Sequence, residues 1–219
     1  MFEVSKQLSR SREGFGRRIF LLAAGLGIAD SFAYRWCREQ PLELLERSVR
    51  FIIPKQEFYR GSINPTYPEK VDPWTWTLEI RGLSGLSRRY SLADLASRNP
   101  RTVHRTLMCI FNHVGVDSIG NAVWTVTPLG PLLEPLLRGA GDGLRAACFA
   151  ADGFPSSVPL QVALDPEAYL AWAMNGVALP RENGFPLRVL LPDKYGMKQP
   201  RWLEQIEITG ESVSDHWEK

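Results

Sequence analysis

Histidine and cysteine are scarce in this chain, with three of each among 219 residues. The histidines, His104, His113 and His216, are too few and too scattered for a zinc centre built mainly of His and Cys. Three cysteines do not make a disulfide framework. CxxC, HExxH, GxxxxGK[ST] and GxGxxG are all absent, which removes the commonest metal, phosphate-loop and dinucleotide signatures. Charge of one sign is lacking too: 26 Lys and Arg stand against 24 Asp and Glu, a net +2. Phosphate binding along a nucleic acid needs a concentrated basic footprint, so nucleic acid is excluded as the main partner. No apolar run reaches the roughly 20 residues of a membrane span.

What remains is an ordinary globular composition, 44% hydrophobic and 23% charged, with ample material for a core. Sixteen prolines, eighteen glycines and seven tryptophans suggest a loop-rich α+β fold rather than a helical bundle. The first 33 residues stand apart. Arg17-Arg18 precede Ile19–Ala29, eleven residues without a charge, and Ser31 and Ala33 offer small side chains for cleavage after Ala33. That pattern reads as a twin-arginine export signal or a retained N-terminal anchor; the alternative is a helix packed on the body. Five basic and three acidic residues of the total lie in it, so residues 34–219 carry 21 of each. The basic excess belongs to the leader. The expectation is therefore an exported protein, periplasmic or anchored facing the periplasm.

Along residues 34–219 the spacing predicts a short helix over 41–53 and a proline-rich loop over 54–73. A half-buried strand follows at 76–80, then a turn at 82–87 and a capped helix start at Ser91. Residues 102–110 read as a strand and 111–127 as irregular. Residues 129–137 and 166–174 read as helices, and 146–150, 157–160, 187–191 and 206–208 as strands. The result is a mixed, strand- and loop-rich α+β domain without repeats.

Cys109 is the most interesting thiol. It closes an apolar strand, with Arg101 and Arg105 before it and His113 after it. Cationic neighbours favour the thiolate, which is a nucleophile and a soft-metal ligand. A Cys–His pair with His113 or His104 is one reading, and a buried, inert core cysteine is the other. Cys37 and Cys148 are candidates for pairing after export, subject to the Cα distance a disulfide needs.

Longer motifs go further. The run Arg105-Thr106-Leu107-Met108-Cys109-Ile110-Phe111-Asn112 is followed by Ile119-Gly120-Asn121-Ala122-Val123-Trp124-Thr125 and Pro128-Leu129. Next come Ala151-Asp152-Gly153-Phe154, Met174-Asn175-Gly176, Leu179 to Arg188 (LPRENGFPLR) and Tyr195-Gly196-Met197-Lys198 with Trp202-Leu203. In this order the blocks resemble the oxidoreductase molybdopterin-binding domain of the sulfite oxidase family, and Glu57-Phe58-Tyr59-Arg60 resembles an earlier loop of it. The resemblance spans about residues 54–208. It implies a molybdopterin cofactor, with Cys109 as the thiolate ligand of molybdenum. It implies cofactor contacts from Gln56, Glu57, Phe58 and Tyr59, from Asn183 and Arg188, and from Lys198, Gln199, Pro200 and Arg201. Arg60, His113 and Trp172 are then expected to line the substrate funnel beside Cys109.

Several positions depart from the family pattern. Val126 replaces a glycine, and Ala150 replaces a common serine. Trp172 stands where sulfite-oxidising members carry a tyrosine that reaches the metal. With no haem pattern and no appended domain, the chain resembles the single-domain bacterial branch, which includes the catalytic subunit of the periplasmic methionine sulfoxide reductase. That branch implies a membrane haem protein or another electron-transfer partner. The expected activity is oxygen-atom transfer on a small molecule, reducing a sulfoxide or N-oxide rather than oxidising sulfite. The alternatives are a fold-retaining binding module without turnover and a metal-free thiol enzyme.

Overall fold

Thr77-Leu78-Glu79-Ile80-Arg81 alternates strictly, with Leu78 and Ile80 fully buried and the charged residues between them outside. That period of two sets the tone for the molecule. The computed structural model describes residues 52–61, 71–83, 85–113, 117–137, 141–215 and 218. The chain divides into two units, residues 1–50 and 51–219, and every described residue belongs to the second. The expected export segment 1–33, most of the helix expected over 41–53, Cys37 and His216 lie outside the described residues.

Two five-stranded sheets carry the fold. The first contains β1 (Thr77–Arg81), β2 (Ser87–Ser91), β5 (Arg145–Ala150), β6 (Pro155–Pro159) and β10 (Leu203–Thr209), in the order β2-β1-β10-β5-β6. β1 and β10 run parallel; the other pairs are antiparallel. The second contains β3 (Arg101–Met108), β4 (Ile119–Pro128), β7 (Tyr169–Met174) and β8 (Val177–Ala178) in that order, with β9 (Arg188–Leu190) also paired to β7. Among the described residues, three short α-helices fill corners: α1 (Leu92–Ser97), α2 (Gly130–Leu133) and α3 (Leu160–Ala163). α1 starts on a capping box, in which the Ser91 hydroxyl accepts from the Asp94 N–H and the Asp94 carboxylate accepts from the Ser91 N–H.

β7 and β9 lie between two apolar clusters. On one side Leu170, Leu187 and Val189 pack with Leu78, Ile80, Ile206 and Ile208 of the first sheet. On the other, Ala171, Met174 and Leu190 pack with Trp124, Leu107 and Phe58. A strand buried on both faces reads as a continuous apolar run, which periodicity cannot tell from a buried helix. That corrects the helix expected over 166–174: residues 169–174 are strand. The stretch expected as irregular over 111–127 is likewise corrected from Ile119 onward, where β4 pairs with β3 along its length. β2 was expected partly as turn; its exposed Arg88 and Arg89 mark it as an edge strand.

One residue ties this frame to the loop that becomes important below. Asn175 sits at φ 51°, a conformation asparagine tolerates better than most residues. Its side-chain oxygen accepts from the Val123 N–H at 3.0 Å, and its Nδ2 donates to the Ile53 carbonyl at 2.9 Å. Asn175→Ala removes both bonds at a partly buried site. It is expected to lower stability by about 2 kcal/mol, two bonds of about 1 kcal/mol each. The urea midpoint of ligand-free protein measures this, and an unchanged midpoint refutes it.

Candidate active site

A cleft opens where four segments meet, and each arrives for a local reason. β3 ends at Met108. The Cys109 N–H then donates to the Ser118 carbonyl at 2.8 Å, and the Cys109 carbonyl accepts from the Asn112 N–H at 3.1 Å. This turn holds Cys109, half-buried, on the cleft wall. The second segment enters at Ile53, whose N–H donates to the Asn121 carbonyl; the Glu57 and Phe58 N–H groups then both turn back onto the Pro54 carbonyl. That turn drives Phe58 inward. Its ring stacks on Tyr59 at 5.5 Å and meets Trp124 edge-on at 5.6 Å. Gly120 is required beneath it, because a Cβ there would fall 2.7 Å from the Phe58 ring.

Residues 196–202 form the third wall. A Cβ on Gly196 would lie 2.5 Å from the Tyr59 hydroxyl, so only glycine lets this segment approach the tyrosine. The β5–β6 turn supplies the fourth wall with Asp152 and Phe154. The space between them is about 710 Å³ counting its open mouth.

The electrostatics of the cleft are unusual. Arg188 is only 4% exposed. Its guanidinium donates to the Asn183 carbonyl at 3.1 Å and to the Gln199 carbonyl at 3.5 Å, and lies over the Trp124 ring at 5.2 Å. Among the described residues no carboxylate pairs with it, and its Nε has no partner. Burial pushes its pKa down to about 9, opposed by Tyr59 and reinforced by Arg201. Arg201 is likewise depressed by burial. Its guanidinium donates to the carbonyls of Glu182 and Gly61 and lies over Trp202 at 4.2 Å. Burial pushes Tyr59 and Asp152 up, so both favour their neutral forms more than usual. Asn183 is 1% exposed, with a side-chain oxygen unpartnered among the described residues. One buried and one half-buried cation, both held by backbone carbonyls, make a cradle for a polar anionic group.

The residues expected from sequence divide clearly. Cys109, Phe58, Tyr59, Arg188, Gln199, Pro200 and Arg201 line the cleft together, and Asn183 supports Arg188 from behind through its carbonyl. Gln56 and Glu57 are exposed outside it. Arg60 is exposed as well and donates to the Gln56 carbonyl at 3.4 Å, although its charge still acts on Arg201. Three expectations need correction. Trp172 faces away from the cleft, on the same face of β7 as Leu170 two residues before it. Its indole donates to the Thr127 hydroxyl at 3.3 Å, and it packs on the first apolar cluster. His113 is exposed beyond the Cys109 turn, its N–H folded back onto the Phe111 carbonyl. Lys198 points out of the cleft toward Asp215 and Glu218.

The residues not anticipated on the wall are Gly61, Ile110, Asp152, Phe154, Gly196, Met197 and Trp202. Most belong to the recurring sequence blocks, and the Asp152-Gly153 turn was the available signal for the fourth wall. Cys148 is not part of the cleft: it is fully buried, and burial pushes its thiol up to about 12, which makes it inert.

The uncompensated charge of Arg188 gives a prediction with an uncommon sign. Arg188→Met keeps the length of the side chain and removes a buried unpaired cation. Ligand-free Arg188→Met protein is therefore expected to resist urea as well as wild type or better. A midpoint lowered by the equivalent of 2 kcal/mol or more, about what loss of a well-paired buried group costs, identifies Arg188 as a structural residue instead.

Comparison with known proteins agrees with this geometry. The model of the oxidoreductase molybdopterin binding domain matches residues 64–217. Mitochondrial sulfite oxidase of Rattus norvegicus is 32% identical over 205 residues, covering 83% of this chain and 37% of that protein. Sulfite oxidase of Arabidopsis thaliana is 31% identical, covering 74% of this chain and 48% of the relative. The chain thus spans between a third and a half of these relatives' length. In structure, the sulfane dehydrogenase SoxCD of Paracoccus pantotrophus matches with a TM-score of 0.61 at 20% identity, over 84% of this chain and 55% of that one, a likeness of fold. The residues that line the cleft lie inside the matched span except Phe58, Tyr59 and Gly61 just before it, and the chain belongs to the oxidoreductase molybdopterin-binding domain family, with molybdopterin as its cofactor.

Proposed function

We propose that this domain catalyses oxygen-atom transfer at a molybdenum centre carried by molybdopterin and ligated by Cys109. The observation that carries the reading is Arg188: a guanidinium buried without a carboxylate, at the base of a cleft whose wall bears a half-buried thiol. The cofactor supplies the two-electron redox chemistry and the labile oxygen. The chain's own residues bind and orient. Arg188 and Arg201 offer cationic donors to the cofactor's phosphate or pterin oxygens, and Asn183 offers an unused acceptor. Cys109 is the soft ligand whose sulfur tunes the metal. Tyr59, kept protonated by burial, presents a hydroxyl beside Cys109.

Reduction of a sulfoxide or N-oxide is the preferred reaction. Trp172 no longer supports it, since that side chain faces the core. Support comes from the cleft wall: Ile110, Phe154 and Met197 are apolar, and Asp152 brings a carboxyl group. An apolar wall with an acid in it suits a neutral organic oxide better than a hydrated dianion. The competing reading is sulfite oxidation, favoured by the relatives' activity and by exposed Arg60 near Arg201.

Steady-state kinetics with artificial dyes on one metal-loaded preparation decides between them. The expected result is a larger kcat/KM for a sulfoxide or N-oxide than for sulfite, and activity lost in Cys109→Ser with pterin retained. A larger value for sulfite selects sulfite oxidation. Turnover of none of these substrates selects a binding module, and full activity in metal-loaded Cys109→Ser refutes the ligand assignment.

Electrons would come from a membrane haem protein or a similar donor, on the outer side of the inner membrane. That location follows from Arg17-Arg18 and the apolar run Ile19–Ala29. Exchanging both arginines for lysine is expected to leave the protein in the cytoplasm. Cell fractionation tests it, and periplasmic recovery of the double variant refutes the export reading.

A further inference from the structure

Lys198 sits in the middle of the segment that forms the third wall, yet its side chain leaves the cleft. Met197, Gln199, Pro200 and Arg201 on either side of it line the cavity. The Lys198 ammonium lies 3.0 Å from an Asp215 carboxylate oxygen and 2.5 Å from one of Glu218, and donates to the Ser157 carbonyl at 3.4 Å. The side chains of Lys198 and Asp215 are 16% and 0% exposed, so this is an interior pair rather than a surface one. Ser157, on β6, also grips the same downstream stretch. Its hydroxyl donates to the Val213 carbonyl at 2.8 Å and accepts from the Val213 N–H at 3.1 Å. Arg145 on β5 braces Ser157 in turn, donating to its hydroxyl at 3.1 Å and to its carbonyl at 3.2 Å. Val213 is thus fixed to the first sheet, and Asp215 and Glu218 to the cofactor-facing segment.

We propose that Val213, Asp215 and Glu218 act as a strap that holds residues 196–201 against the cofactor, with Lys198, Asp215 and Ser157 as positioning residues. The inference rests on the reading that residues 196–201 meet molybdopterin. It departs from the expectation that Lys198 grips the cofactor itself. The two carboxylates already neutralise the ammonium, and moving it into the cleft would break both ion pairs. The strap fixes the backbone that carries Gly196, and Gly196 is the point of closest approach to Tyr59. Loosening it frees one wall of the cleft without touching a cofactor-facing side chain.

The readout is the rate at which pterin leaves full-length holoprotein, followed by fluorescence of the filtrate, alongside the unfolding midpoint of ligand-free protein. Lys198→Met and Asp215→Asn are each expected to speed release about tenfold, the scale of coupling between contacting residues. The double variant should release no faster than either single one, and Lys198→Arg should stay within about twofold of wild type. Glu218→Gln, at the more exposed carboxylate, provides a milder variant and is expected to speed release less than Asp215→Asn. Direct gripping by Lys198 predicts the opposite pattern: Asp215→Asn frees the ammonium and slows release, while Lys198→Met speeds it. That pattern overturns the strap, as do additive losses or release at wild-type rate in every variant. Slow release in the strap variants' parent together with unchanged pterin content in Arg188→Met would strike at the cofactor-site reading rather than at the strap.

Discussion

The site depends on a buried positive charge that the protein leaves uncompensated. Arg188 stacks over Trp124 and donates to two backbone carbonyls, but no carboxylate pairs with it among the described residues. Carbonyl dipoles fix the plane of the guanidinium without cancelling its charge. Everything around it preserves this arrangement. Trp124 is held at 0% exposure by its own N–H, which donates to the Arg105 carbonyl at 3.1 Å, and by Phe58 against its edge. Phe58 is held by the Pro54 turn and by the missing Cβ of Gly120. Gly184, at φ 115°, stands where a Cβ would come 3.0 Å from Arg201 and 3.1 Å from Arg188, so the two arginines converge only around a glycine.

This arrangement explains why the second sheet is so apolar. β7 and β9 are covered on both faces, by the first sheet on one side and by Trp124 and its neighbours on the other. A cation beneath such a layer is stripped of water, and any anion that enters interacts with it in a low-dielectric setting. Burial lowers the arginines and raises Tyr59 and Asp152. These shifts share one cause, desolvation, and together they describe a cleft prepared to receive charge from a ligand.

The sequence made the strands with strict alternation legible, and β1 lies within one residue of its expected place. It also made the cleft legible where glycine, cysteine and arginine recur in ordered blocks: Cys109, Arg188 and Arg201 do share one cavity. Three failures have physical reasons. β7 was mistaken for a helix because burial on both faces erased its period of two. Trp172 was placed in the funnel by its position in a motif, but it shares the face of Leu170 on β7, which packs on the first apolar cluster. Lys198 was read as a ligand because a linear sequence does not show which carboxylates meet an ammonium.

That last failure suggests how to separate two kinds of cation at the cleft. Arg188 and Arg201 bond only to carbonyl oxygens in the bonds described, and keep their charge available to the cleft. Lys198 meets two carboxylates and has none to spare. All three lie within 14 residues of one another in the chain, and all three belong to blocks that mark the family. Their roles differ because of the partner each one meets. A guanidinium that leaves its charge unpaired accepts a desolvation cost in the empty protein that only a ligand can offset. An ammonium closed by two acids has that cost offset already, so its contribution is to the shape of the wall.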